Sequence, residues 1–425
     1  MSGAAAPAAD AAPLPGRGRA LALMALALVL AMSPWFSASA VVMQLRAQWG
    51  FGESLAAWIT IAVQLGFVAG ALASALLGLA DRVPAPRLIA AAACAAALAN
   101  ALVLLVESPA QLLLARAVTG ACLAAVYPPA MKLMATWFVR GRGLALGVLI
   151  GAITVGSALP HLVNALGGAR WQGVIVWTTA LTLAGAAVVA FGVREGPYPF
   201  PRAPFRVGDV AAIVRNRGVV LASLGYLGHM WELYAMWAWF SAFALTAAAV
   251  GGDPVRASLL AFAAIAAGLP GCVLAGALAD RFGRARTAAA AMAVSGACCV
   301  AAGWAHAGPG WLLVAVALVW GISVIADSAQ FSALVTEHGD QRSIGTALTL
   351  QLALGFALTV ATIWIVPLLA AALGSWRWVF LVLVPGPLLG IAAMLALQRP
   401  RHAGPGIGPG ADPDAAANGP NMTKT

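Results

Sequence analysis

Long apolar runs alternate with short polar turns along almost the whole chain. Twelve such runs lie at approximately 20–44, 54–80, 87–106, 111–138, 143–167, 171–193, 218–247, 256–279, 287–306, 309–335, 343–371 and 377–397, six before residue 217 and six after. Crossing a hydrocarbon core of ~30 Å takes ~20 apolar residues per helix, and inside it every backbone amide must be satisfied within the protein. Barrel strands would alternate with period two, whereas these runs are continuous and nearly free of charge. They predict an all-α polytopic membrane protein of twelve transmembrane helices.

Two of the turns repeat. The stretch from Gly276 to Arg286, GALADRFGRAR, has a weaker echo in LGLADRVPAPR, which ends at Arg87, and the two aspartates Asp81 and Asp280 stand 199 residues apart. One half of the chain is therefore a distant copy of the other, which predicts two pseudo-symmetric six-helix bundles at 17–193 and 218–398. Residues 194–217, with Pro197, Pro199, Pro201 and Pro204 among five arginines, form the linker. The ends, 1–16 and 399–425, are poor in the large apolar side chains a core needs and read as disordered tails.

Composition agrees with a bilayer solvent: 62% hydrophobic and 9% charged residues, with a mean hydropathy of +0.92, exclude a water-exposed globule. Basic residues in short loops are retained on the cytoplasmic side during insertion. With both termini inside, 18 of the 24 Lys and Arg lie there and only Arg46, Arg170, Arg256 and Arg377 face out. The net charge of +10 thus follows from topology, with lipid headgroups as partners and no nucleic acid. An integral protein of the bacterial inner (plasma) membrane is the expected setting. The five cysteines all fall inside spans without metal-site spacing, so no metal or other cofactor is expected and buried apolar thiols are. Trp49, Trp171, Trp311, Trp376 and Trp378 near span ends read as interfacial anchors.

The turn Gly276-x-Leu278-Ala279-Asp280-Arg281-x-Gly283-Arg284-x-Arg286, together with twelve runs and a basic middle loop, resembles the loop signature of the major facilitator superfamily (MFS). The resemblance covers residues 17–398. The first copy keeps Leu79, Ala80, Asp81, Arg82 and Arg87 but has Leu77 and Pro84 where the family has glycine. Trp137, Arg140 and Arg142 after span 4, and Arg116 with Gly120 inside it, are further echoes of the family. The span 5 spacing of Gly147, Gly151, Gly156 and Pro160 departs from that of drug/proton antiporters, and the arginines of nitrate porters in spans 2 and 8 are missing. The resemblance implies a secondary transporter, monomeric by default, whose spans 1, 4, 7 and 10 line a central cavity. It also implies a gate made by Asp81, Arg82, Gly276, Asp280, Arg281, Gly283 and Arg284. Glycine lets helices approach, a carboxylate caps a neighbouring helix N-terminus, and arginine forks bridge acids. Simple solvation of the turn is the alternative.

Charge inside a span costs about 2.5–3.5 kcal/mol or more unless paired or wetted. Four such residues exist: Arg116 and Lys132 in span 4, Glu232 in span 7 and Asp327 in span 10. If the four face one path, they are the candidates for coupling and binding. Glu232 lies 14 residues into span 7, about 21 Å along a helix, with His229 three residues away and able to hydrogen-bond it. Glu232, His229 and Asp327 are read as proton-coupling residues, against a satisfied structural pair. For Asp327, a salt bridge to Lys132 and a ligand role for a cation stay open. Lys132 and Arg116 are candidate substrate ligands, with snorkelling of the lysine amine and a structural arginine as alternatives. Tyr127 lies on roughly the Arg116 face, but Pro128 and Pro129 follow it and bend span 4.

Neutral candidates complete the substrate site. His161 and Asn164 in span 5 are offered as hydrogen-bonding residues, with Gln351 and Gln64 as weaker ones and Trp35, Trp231, Trp237 and Tyr234 as aromatic walls; plain packing is the alternative for each. No P-loop, zinc motif or nucleophile elbow is present, so enzyme chemistry is not expected. The reading is alternating access about a midplane site, with proton-coupled symport of a small organic anion such as a carboxylate. Proton-driven efflux of amphipathic compounds and uniport are its rivals.

Overall fold

Apolar runs become helices wherever no proline or cluster of hydroxyls interrupts the backbone. The computed structural model describes residues 15–138, 141–167, 170–198, 207–340 and 343–399, without the side chains of Ala80, Asp81 and Val207. The expected tails fall almost wholly outside these residues, as do Arg140, residues 199–206 of the linker, and the Asp81 side chain. Among the described residues, ten helices are long and apolar enough to cross a membrane: Glu53–Leu77, Ala85–Leu105, Pro109–Ala135, Arg142–Leu166, Trp171–Gly192, Pro254–Phe282, Arg284–Ala307, Gly310–His338, Ile344–Leu373 and Val379–Gln398. They are spans 2–6 and 8–12. Span 7 is one helix, Arg217–Thr246, whose buried His229, Glu232 and tyrosines lower its apolar character. Among the described residues there is no strand.

Span 1 corrects the expectation of a continuous helix over 20–44. It runs as Arg17–Ala31, then turns, a 3-10 turn at Ser39–Val41, and a helix at Val42–Trp49. Pro34 lacks an N–H, and Ser33 and Ser37 donate their hydroxyls to the carbonyls of Leu30 and Pro34. Hydroxyls that compete for backbone carbonyls this way break helices. Span 4 also breaks, after Leu123, and restarts at Tyr127–Ala135 with Pro128 and Pro129 in its first turn. Tyr127 therefore does not continue the Arg116 face. Span 10 breaks at Asp327, between Gly310–Ala326 and Ser328–His338.

The packing has the two-fold regularity that the repeated turn predicts. In the first half span 2 packs on 4, 3 on 6 and 4, and 1 on 5 and 6; in the second, 8 packs on 10, 9 on 12 and 10, and 7 on 11 and 12. The halves meet through span 2 against 11 and span 5 against 8. Exchanging the halves turns each of these contacts into the other. Close approaches repeat as well. A Cβ on Gly120 would sit 2.0 Å from the Val63 carbonyl oxygen, and one on Gly321 would sit 1.7 Å from that of Ala264. Only glycine lets spans 4 and 10 reach their neighbours.

Candidate functional site

The four charges in the spans have separate partners. Arg116 is fully buried and donates from Nη2 to the carbonyls of Pro34 (2.8 Å) and Trp35 (2.6 Å), and from Nη1 to Ser37 Oγ (3.0 Å) and Asn100 Oδ1 (3.2 Å). Asn100 in turn donates to Thr178 and Thr179 of span 6. The broken span 1 leaves carbonyls without helical partners, and the guanidinium of span 4 satisfies them. Both terminal nitrogens are thereby engaged inside the first bundle.

Glu232 is equally committed inside the second bundle. Its carboxylate accepts from Ser295 Oγ (2.9 Å) and Cys299 Sγ (3.3 Å) of span 9 and from Trp320 Nε1 (2.6 Å) of span 10. All three donors are neutral. The expected Glu232–His229 hydrogen bond does not form, because Trp320, which helical spacing sets on the Asp327 side of span 10, turns its N–H toward span 7. Cys299 is correspondingly more than the apolar thiol its composition suggests.

His229 pairs with Asp327 instead. Its Nδ1 lies 2.8 Å from Asp327 Oδ1, in ion-pair range but out of line for a hydrogen bond, and both residues are 2% exposed. The break in span 10 sets Asp327 at a helix junction facing span 7. Tyr226 and Phe331 flank the imidazole at 5.9 and 5.8 Å between ring centroids. Lys132 is half-buried on the far side of the span 4 break and has a partner of its own.

Between the bundles the rings close on one another. Trp35 lies 5.0 Å from Phe67, 5.8 Å from Tyr234 and 5.7 Å from Phe356; Phe67 and Phe356 approach to 4.5 Å. Tyr127 stacks on Phe67, and Phe36 joins Tyr234 to Trp237. Trp231, by contrast, donates to the Val382 carbonyl and belongs to the packing of spans 7 and 12. Phe67 and Phe356 were not singled out from the sequence. A phenylalanine in an apolar run carries no signal of its own.

His161 and Asn164, one helical turn apart, have different surroundings. Asn164 accepts from Gln44 and donates to the Ala40 carbonyl and to Ser258 Oγ at 2.9 Å, tying span 5 to span 8 near the face opposite the basic loops. Trp364 donates to Ser54 at 3.3 Å between spans 11 and 2. Both ring nitrogens of His161, the amide nitrogen of Gln351, the whole amide of Gln64, and the indole N–H groups of Trp35 and Trp237 are buried without a partner.

On the basic face, Asp280 is exposed, and its Oδ1 lies 4.0 Å from where a Cβ would stand on Gly143, in the first turn of span 5. Gly276 faces the Gly143 carbonyl. Arg284 pairs with Glu337 at 2.5 Å and Gln330 at 3.2 Å, whereas Arg281 lies over the Phe282 ring. Gly283 has φ 90°, which favours glycine. Arg82 is exposed. Among the described residues no His, Cys, Asp and Glu group is arranged to hold a metal ion.

A sequence profile described as Major Facilitator Superfamily matches residues 23–362 and 249–419. A crystal structure of a point mutant of the nucleoside transporter NupG superposes with a TM-score of 0.67 at 14% identity, covering 89% of this chain and 100% of that one. At that identity the likeness speaks for the fold. No curated protein matches the chain.

Proposed function

The chain belongs to the Major Facilitator Superfamily and is a membrane transporter, and from that premise we propose that it works as a proton-coupled symporter of a small organic molecule, with His229 and Asp327 handling the proton. The carrying observation is their buried 2.8 Å contact across spans 7 and 10. The imidazole and the carboxylate face each other in a site closed to solvent, where an unpaired charge is costly. A proton taken up by the pair changes its net charge and weakens the attraction between the two side chains. Binding and release of that proton therefore change what the interface between spans 7 and 10 holds together. Rocking of the two bundles exposes it to either side in turn.

Glu232 keeps a different task in this reading. With three donors from spans 9 and 10, it holds the helix that carries His229 and is a positioning residue. Arg116 is engaged by spans 1 and 3 and Lys132 has a partner of its own, so a basic span 4 does not by itself call for an anionic cargo. The asymmetry of the basic loops supports a cytoplasmic side for both termini.

Proteoliposomes loaded with a pH-sensitive dye test the coupling. Adding a transported substrate should acidify the lumen in the wild type, and Asp327→Asn should abolish the pH change while substrate counterflow continues. Transport by the wild type without any proton movement would remove the proton from the mechanism.

A further inference from the structure

Among the described residues, the buried polar atoms without a hydrogen-bond partner include those of Trp35, Gln64, His161, Trp237 and Gln351, beside those of His229, Asp327 and the Nε of Arg116. None is more than 3% exposed. The first five come from spans 1, 2, 5, 7 and 11, so both halves contribute. Two of them are walls of the ring cluster. Gln64 is one helical turn from Phe67, and Gln351 is one turn from Gly355, where a Cβ would strike the Tyr226 ring at 2.3 Å. His161 lies one turn deeper than Asn164, which touches Ala40 next to the Phe36 segment.

Buried polar groups in folded proteins are nearly always satisfied, so an orphaned set gathered around one cluster is a set in want of a partner. Its chemistry is specific. The two indole N–H groups donate only, while two amides and an imidazole both donate and accept. The surrounding rings present flat apolar faces suited to stacking. Charge points the same way. Both terminal nitrogens of Arg116 are occupied and only its Nε is unpartnered, Glu232 has its donors, Asp327 faces His229, and Lys132 is engaged. A carboxylate entering this chamber would be stripped of water with no unengaged cation among these groups to meet it.

We propose that the orphaned edges and the rings around them form the binding chamber of an uncharged, planar heteroaromatic substrate that carries both hydrogen-bond donors and acceptors. The assignment rests on the transporter reading and names the class of its cargo. Because Trp35 and Gln64 belong to one bundle and Trp237 and Gln351 to the other, the ligand bridges the halves.

The test is equilibrium binding to the purified full chain in detergent, without any gradient, so that its result is separate from that for proton coupling. Three matched pairs serve as probes: nicotinamide and nicotinate, uracil and orotate, benzamide and benzoate. At least one uncharged member should raise the melting temperature, and its carboxylate counterpart should not. Gln64→Leu removes an orphaned amide, so the unliganded protein should melt at the same temperature or higher while affinity for that probe falls about ten-fold or more; Gln351→Leu should repeat the pattern. A purely structural role would instead lower the unliganded melting temperature. Carboxylates that stabilise as well as their uncharged partners, no response to any uncharged probe, or wild-type affinity in both variants would each overturn the assignment.

Discussion

The guanidinium of Arg116 donates to the backbone carbonyl of Trp35 at 2.6 Å, so that a side chain of span 4 closes a gap in the helix of span 1. Each hydrogen bond from a charged donor is worth about 1.5–3 kcal/mol, and four converge here. Arg116→Lys keeps the charge but loses the planar fork. It should lower stability by about 2–4 kcal/mol, read as a reduced melting temperature and a smaller monodisperse peak on size exclusion. A lysine variant that melts with the wild type would mean that span 1 is held by its packing alone.

The pairing of Trp320 with Glu232 is open to a double-mutant cycle. Trp320→Phe and Glu232→Gln should each destabilise, and the double variant should lose less than the sum by about 1–3 kcal/mol, since the second change finds the bond already gone. Additive losses in chemical denaturation would show that the 2.6 Å contact contributes nothing specific. Asp327→Asn should disturb folding less than Glu232→Gln, because Asp327 faces a single imidazole and Glu232 accepts from three donors.

The bond between Asn164 and Ser258 joins the bundles on the face opposite the basic loops. Losing about 1 kcal/mol there shifts a two-state equilibrium about five-fold. A cysteine placed at the buried Ala261, one turn deeper than Ser258, should react about five times faster with a maleimide when Asn164 is alanine. An unchanged rate would place the closure of that face elsewhere.

Asymmetry on the basic face makes a further prediction. Arg284 of the intact turn reaches Glu337, while Arg82 of the eroded turn is exposed. Asp280→Asn should therefore slow transport more than Asp81→Asn, while Asp280→Asn folds normally because an exposed charge stabilises weakly. Equal losses in initial uptake rate would make the two turns equivalent.

Much of the fold is legible in the sequence because a bilayer leaves the backbone few choices. Apolar length located ten of the helices, and Pro128 and Pro129 announced the bend in span 4. The break in span 1 was not foreseen, since its serines count as nearly neutral on a hydropathy scale. Their competition for carbonyls appears only when partners are known. The candidate site was legible as a set of residues and not as a set of pairs. Helical spacing put His229 beside Glu232, yet both turned to other spans, because partners across helices are decided by how the helices rotate against each other. Phe67 and Phe356 had no signal to give.

The ring cluster has a kinetic consequence. Phe67 and Phe356 belong to opposite halves and touch at 4.5 Å, so an empty carrier that reorients must first peel aromatic faces apart. A flat guest slipped between them would exchange one tilted ring contact for two and ease that separation. Under the proposed cargo, the loaded protein is expected to turn over faster than the vacant one, which would favour exchange of one cargo molecule for another over net leakage.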